Sequence, residues 1–191
     1  MTSIGFFSLA VLVAALVFQV ATYKTNKSNG SYKSYRALFW FLVASIVLFY
    51  FYLVYSLYLA WSSGGGIGKF LVPPYGGISY VFGYQFSRFL LHYLVALAVA
   101  FALLVSAKRL NRRFGERFFE SQEPYLGAIS VLLLGQSVWD YAWIYYLIAI
   151  LALAVVGSLV VSHWLKRKER FSLYWLWLPV AILVILIKTA L

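Results

Sequence analysis

The amino-acid sequence predicts an all-α fold, a polytopic membrane helical bundle of about six transmembrane helices with the N-terminus outside. Three observations predict it. Of the 191 residues, 64% are apolar and only 11% charged, whereas a soluble domain with one core uses apolar residues for nearer half of its length. Apolar runs close to the ~20 residues that a spanning helix needs recur along the chain. Basic residues gather in alternate connections, the pattern of loops retained in the cytoplasm.

The first apolar segment, 3–22, lacks a basic lead-in and a small-x-small cleavage site, so it reads as a retained anchor. The second runs over 38–61, the third over 86–107, the fifth over 142–165 and the sixth over 172–191. The fourth, 124–138, is short for a span. Pro124 suits a helix N-terminus, and Gly135-Gln136-Ser137 before Trp139-Asp140 predicts a tight turn into the fifth helix. A hairpin and a re-entrant segment both satisfy that reading. The apolar segments leave no room for a soluble unit, so 1–191 is expected to form a single integral membrane domain.

Sorting the charges by loop fixes the expected sidedness. The first loop carries Lys24, Lys27, Lys33 and Arg36, the third Lys108, Arg109, Arg112, Arg113 and Arg117, and the fifth Lys166, Arg167, Lys168 and Arg170. These are thirteen of the 16 basic residues, so the odd-numbered loops are expected in the cytoplasm. The expected location is the cell (inner or plasma) membrane, crossed several times. The net charge of +11 then finds its counterpart in anionic lipid headgroups at the basic loops, with no nucleic acid as partner. The Asn-x-Ser sequons at Asn26 and Asn29 fall in an inward loop and predict no glycosylation.

Small residues recur at four-residue spacing: Ala10 and Ala14, then Ala98, Ala102 and Ser106, then Ala154, Ser158 and Ser162. Such stripes let helix backbones approach closely in lipid and make a membrane-protein partner or a homo-oligomer an expected association. Trp61, Trp139, Trp143, Trp164 and Trp175 sit near segment ends, as an interfacial aromatic belt does. The connection from Ser62 to Gln85 is rich in glycine yet apolar; it reads as a compact surface loop with glycine turns, the alternative being a dip into the membrane.

Chemistry must come from five acids, Glu116, Glu120, Glu123, Asp140 and Glu169, and from two histidines. The absence of cysteine removes disulfides, thiolate metal sites and thiol nucleophiles; neither a metal nor another cofactor is expected. Glu116, Glu120 and Glu123 crowd at the inner mouth of the fourth segment and are the candidate catalytic residues, since paired carboxyls that share a proton can activate water. The same spacing, with Lys108 and Arg112, also fits a solvated stripe on an amphipathic helix. On the outer side, Arg88 and His92 lie one turn apart and Asp140 follows the fourth segment, a candidate polar binding cluster, because ionisable groups within a membrane are functional candidates. Lys188 lies near a helix end and is expected to snorkel. His163 has no second metal ligand at a useful spacing.

From Phe86 onward the layout resembles the membrane domain of prepilin peptidases, the type IV leader peptidase family. Glu123 precedes Gly127 and Gly135, and the basic run Lys166 to Arg170 precedes Ser172-Leu173-Tyr174-Trp175-Leu176-Trp177-Leu178-Pro179. The resemblance implies acid peptidase chemistry on the cytoplasmic face, carried by Glu123 with Glu120 or Glu116. The family's Gly-x-Gly-Asp sequence is absent; Gly115-Glu116 and Glu123-Pro124 stand nearest to it, and no acid precedes Glu116. A divergent or degenerate relative is therefore what the resemblance implies. The second class of function open to this chain is a non-catalytic membrane binding, transport or assembly subunit, resembling the small six-helix substrate-binding components of vitamin transporters.

Overall fold

The computed structural model describes residues 3–24, 28–64, 66–115, 119–163 and 172–190, and these residues form helices and turns without a strand. The helices are α1 (Ser3–Lys24), α2 (Ser28–Ser63), α3 (Ile78–Gln85), α4 (Leu91–Phe114), α5 (Glu123–Leu133), α6 (Ala142–His163) and α7 (Trp177–Ala190). A single π turn, Phe86–Leu90, joins α3 to α4 without a break.

Among the described residues, four stretches are long and apolar enough to cross a membrane: Gly5–Thr22, Tyr32–Ser63, Ile78–Phe114 and Ala142–Val160. Two of them overrun the expected segments. The helix expected over 38–61 begins at Ser28, and the one expected over 86–107 reaches from Ile78 to Phe114 through the π turn. Apolar content marks the membrane-facing part of a helix, while hydrogen bonding along the backbone continues into polar sequence until a breaker stops it. For α4 the breaker is Gly115, left-handed at φ 65°, with Arg112 and Arg113 in the last turn facing the negative end of the helix dipole.

The other two helices are short. α5 has 11 residues and α7 has 14, about 16 and 21 Å at 1.5 Å per residue, against a hydrocarbon core of ~30 Å. Pro124 stands in the first turn of α5, where its missing N–H is no loss, and Glu123 complements the positive helix end. The helix tightens and stops when Leu134 N–H bonds Ser130 O and Gly135 N–H bonds Leu132 O. In α7 the non-donating Pro179 fits the first turn, so the chain from Ser172 arrives as a turn and becomes helical only at Trp177.

The shortest of these apolar helices is also the most enclosed. All 11 residues of α5 are buried. α4 lies antiparallel against it: Lys108 reaches Tyr125 at one end, and Ala96 abuts Gly135 at the other. The α4 face that makes this contact carries Ala96, Ala100, Leu104 and Ala107, while Ala98, Ala102 and Ser106 point outward. In α1, likewise, Leu12, Ala15 and Gln19 are buried and Ala10 and Ala14 are exposed. The small-residue stripes read from the sequence in α1 and α4 thus lie on outer faces, because i, i+4 spacing is common to every face of an alanine-rich helix and does not choose one.

α2, α7, α6 and α1 also border α5. Phe39 of α2 meets Tyr125 and Phe101 edge-on at 6.3 and 5.9 Å. At the far end, the Tyr50 hydroxyl donates to Phe82 O at 3.1 Å and ties α2 to α3. The glycine-rich connection between them folds back on α2, where Trp61 lies so close over Gly68 that a Cβ there would stand 2.8 Å from its indole. Val72 is buried beneath this loop, whereas Ile67, Phe70 and Tyr75 project outward.

Candidate functional sites

The N-terminal end of α5 is built by two local devices. Asn111, in the last turn of α4, donates its amide to Phe119 O at 2.6 Å and accepts Phe119 N–H at 2.8 Å. Glu123 N–H then bonds Glu120 O at 3.1 Å, which turns the chain into α5. Together they place Glu120 and Glu123 one turn apart beside Ser172, 49 residues further along. The Ser172 hydroxyl lies 2.9 Å from Glu123 Oε1 and 3.2 Å from Glu120 Oε1. One proton can serve one acceptor at a time, and the shorter contact is with Glu123. Ser172 Oγ also accepts Tyr174 N–H at 3.2 Å, and Tyr174 O takes the buried Gln19 amide of α1 at 2.6 Å.

Two of the three expected acids are therefore brought together. Glu123 is fully buried and Glu120 is exposed; Glu116 lies outside the described residues. Ser172 was not foreseen as their common partner, because no short motif links positions so far apart in the chain.

At the opposite end, Arg88 is exposed and its guanidinium lies 5.5 Å over the Tyr84 ring. Arg88 belongs to the π turn, which adds a residue to the helix and shifts it around the axis relative to His92. His92 is half-buried, 5.8 Å from the Tyr141 ring, and its buried Nδ1 has no hydrogen-bond partner among the described residues. Asp140 is exposed in the left-handed region at φ 37°, followed by Tyr141 at φ 54°. Arg88 and Asp140 form no ion pair among the described residues. No group of three or more His, Asp or Glu side chains that could hold a metal ion occurs among the described residues. Lys188 places its ammonium 4.7 Å over the Tyr145 ring.

A site the sequence did not reveal lies between α1, α2, the π turn and α5. It is a cavity of about 440 Å³ whose wall includes Phe7, Ser8, Leu42, Ser45, Phe89 and Tyr93. Ser45 satisfies its hydroxyl on Phe41 O at 2.8 Å. The buried Ser8 hydroxyl lies beside that of Tyr93 on the same wall. An apolar recess with a few hydroxyls on its wall is the usual make-up of a small-molecule site. Its signal was invisible in sequence, since the residue types that line an apolar cavity are those that face lipid.

Compared with known protein families, curated proteins and solved structures, the chain matches none.

Proposed function

We propose that this protein is a non-catalytic binding component of the cell membrane, which accepts a hydrophobic small molecule or single-chain amphiphile from the bilayer into the cavity between α1, α2, α4 and α5. The observation that carries the reading is the cavity itself: about 440 Å³, within the 300–1,000 Å³ range of ligand sites, with the hydroxyls of Ser8, Ser45 and Tyr93 on an otherwise apolar wall. It borders the π turn, and such turns are frequent at functional sites. In this reading the chain crosses the bilayer about six times, α5 and α7 completing their crossings with the turns around them. The N-terminus is outside and the basic loops are cytoplasmic, as the sorting of thirteen of 16 cations supports. The outward small-residue stripes of α1 and α4 suit a second copy or a helical partner.

Organic extraction of protein purified in mild detergent, followed by mass spectrometry, tests the binding reading. It expects a hydrophobic molecule in near-stoichiometric amount, lost when Ser45→Phe fills the recess; equal recovery from both proteins defeats it.

A second reading, acid chemistry of a divergent prepilin-peptidase-like enzyme, draws support from the convergence of Glu120 and Glu123 on Ser172. Carboxyls held together can share a proton and activate water. We place it second because Glu123 has no exposed surface, which leaves Glu120 as the one member of the pair open to a substrate. Hydrolysis of leader peptides that persists in the Glu120→Gln, Glu123→Gln double variant removes this reading.

A further inference from the structure

We propose that the crevice between α2 and α4 is a binding site for one anionic phospholipid, its phosphate held by Arg36 and Lys108 and one acyl chain laid upward along Trp40, Phe101 and Val105. Beyond the cavity assigned above, a separate recess of about 300 Å³ opens here, lined by these five residues among others and floored by Tyr125 of α5. It exists because α2 and α4 each pack on α5 and meet one another mainly through rings, Phe39 and Trp40 standing 5.9 and 5.8 Å from Phe101.

The chemistry of the recess is divided along its length. At its mouth are two cations. Lys108 Nζ stands 3.4 Å from the Tyr125 hydroxyl and 5.3 Å over its ring, so the phenol steers the ammonium without neutralising it. Neither Arg36 nor Lys108 forms an ion pair among the described residues, and the carboxylates at this end of α5 are turned to Ser172. Above the cations the wall is apolar, formed by Trp40, Phe101, Leu104 and Val105. From Lys108 to Phe101 the helix rises about 10 Å, some two thirds of the ~15 Å hydrocarbon depth of one leaflet. Two positive charges at the headgroup level, beside an apolar wall that can take the upper part of an acyl chain, match a phospholipid with a net negative head; basic pockets between membrane helices are known sites for such heads. A free phosphate would satisfy the cations and leave the groove empty, so the lipid is the occupant we assign.

The test uses the full chain in mixed micelles with native mass spectrometry, offering phosphatidylglycerol, phosphatidylcholine or inorganic phosphate alone. The expected result is one retained phosphatidylglycerol, weaker binding of phosphatidylcholine by about tenfold or more, and the same loss for phosphatidylglycerol in Arg36→Gln, Lys108→Gln. The control Arg109→Gln, Arg113→Gln removes as much charge outside the crevice and is expected to retain the lipid. Should the crevice variant fail to fold, brominated phosphatidylglycerol in bilayers is expected to quench the Trp40 component of fluorescence, the difference between wild type and Trp40→Phe, more than brominated phosphatidylcholine does. Equal retention of the two lipids, equal quenching, or displacement of the lipid by millimolar phosphate would overturn the assignment. The inference rests on the membrane-spanning reading, whose failure differs: the wild-type protein would then partition into neither kind of bilayer.

Discussion

Glu123 receives the Ser172 hydroxyl at 2.9 Å, and this contact joins the first residue of α5 to the turn that leads into α7. Asn111 holds the segment before Glu123, and Gln19 holds Tyr174 after Ser172, so four elements converge on one buried carboxyl. A hydrogen bond to a charged group is worth about 1.5–3 kcal/mol when its partner is otherwise lost to solvent. Ser172→Ala is therefore expected to lower the stability of the protein in detergent by about 2 kcal/mol. Glu123→Gln, which keeps an acceptor, is expected to lose less than Glu123→Ala. Thermal melts of the three variants check this, and equal melting of Gln and Ala forms would show that the bond contributes nothing.

The glycine at position 127 lets α7 approach the central helix. A Cβ there would stand 2.7 Å from Cζ3 of Trp177, and the Trp177 carbonyl receives the hydroxyls of Ser130 and Tyr146 at 3.3 and 3.2 Å. The indole is itself buried, which leaves it little room to give way. Gly127→Ala is expected to destabilise by about 1–3 kcal/mol, the usual penalty for overpacking. Combining it with Trp177→Leu should recover much of the loss. A melting temperature for Gly127→Ala equal to wild type would contradict the close approach.

The contrast between these two sites shows what a linear reading reaches. Composition fixes the helical, membrane-spanning class because a bilayer admits few other folds for so apolar a chain. Pro124 and Gly135 marked the start and stop of α5 because proline and glycine act locally on the backbone. The long-range contacts were not legible. Nothing near Ser172 signals Glu123, and Ala98 and Ala102 looked as fit for packing as Ala96 and Ala100, which face α5. The cavity at Ser8 and Ser45 escaped for the same reason: one alphabet of apolar residues serves lipid, core and ligand, and only their placement in space tells them apart.

The left-handed pair Asp140 and Tyr141 separates a structural role from a binding role at the end of the bundle where α6 begins. Asp140 at φ 37° carries a steric burden that glycine does not. If its place is only to turn the chain into α6, Asp140→Gly should stabilise by up to about 1 kcal/mol, the relief of left-handed strain outweighing the entropy cost of glycine. If its carboxylate binds a ligand together with Arg88 and His92, that gain should come with lost affinity. Melting temperature and ligand retention, measured on the same preparation, distinguish the two outcomes.

The cavity makes a prediction that couples stability to occupancy. A ligand that binds only the folded form stabilises it by RT ln(1 + [L]/Kd), about 2.7 kcal/mol at a hundredfold excess over Kd. Dodecanol is a suitable probe, because its chain matches the apolar wall and its hydroxyl can engage the hydroxyls of Ser8 and Tyr93 on that wall. The wild-type protein in detergent is expected to melt higher as dodecanol is titrated in. Ser45→Phe should fill the recess, leave the melting temperature of the unliganded protein within a few degrees of wild type, and flatten the titration. The paired behaviour matters, because a general detergent-like effect of the alcohol would move both proteins alike. Parallel titration curves for wild type and Ser45→Phe would mean that dodecanol acts from outside the cavity, and the binding function proposed for it would fall.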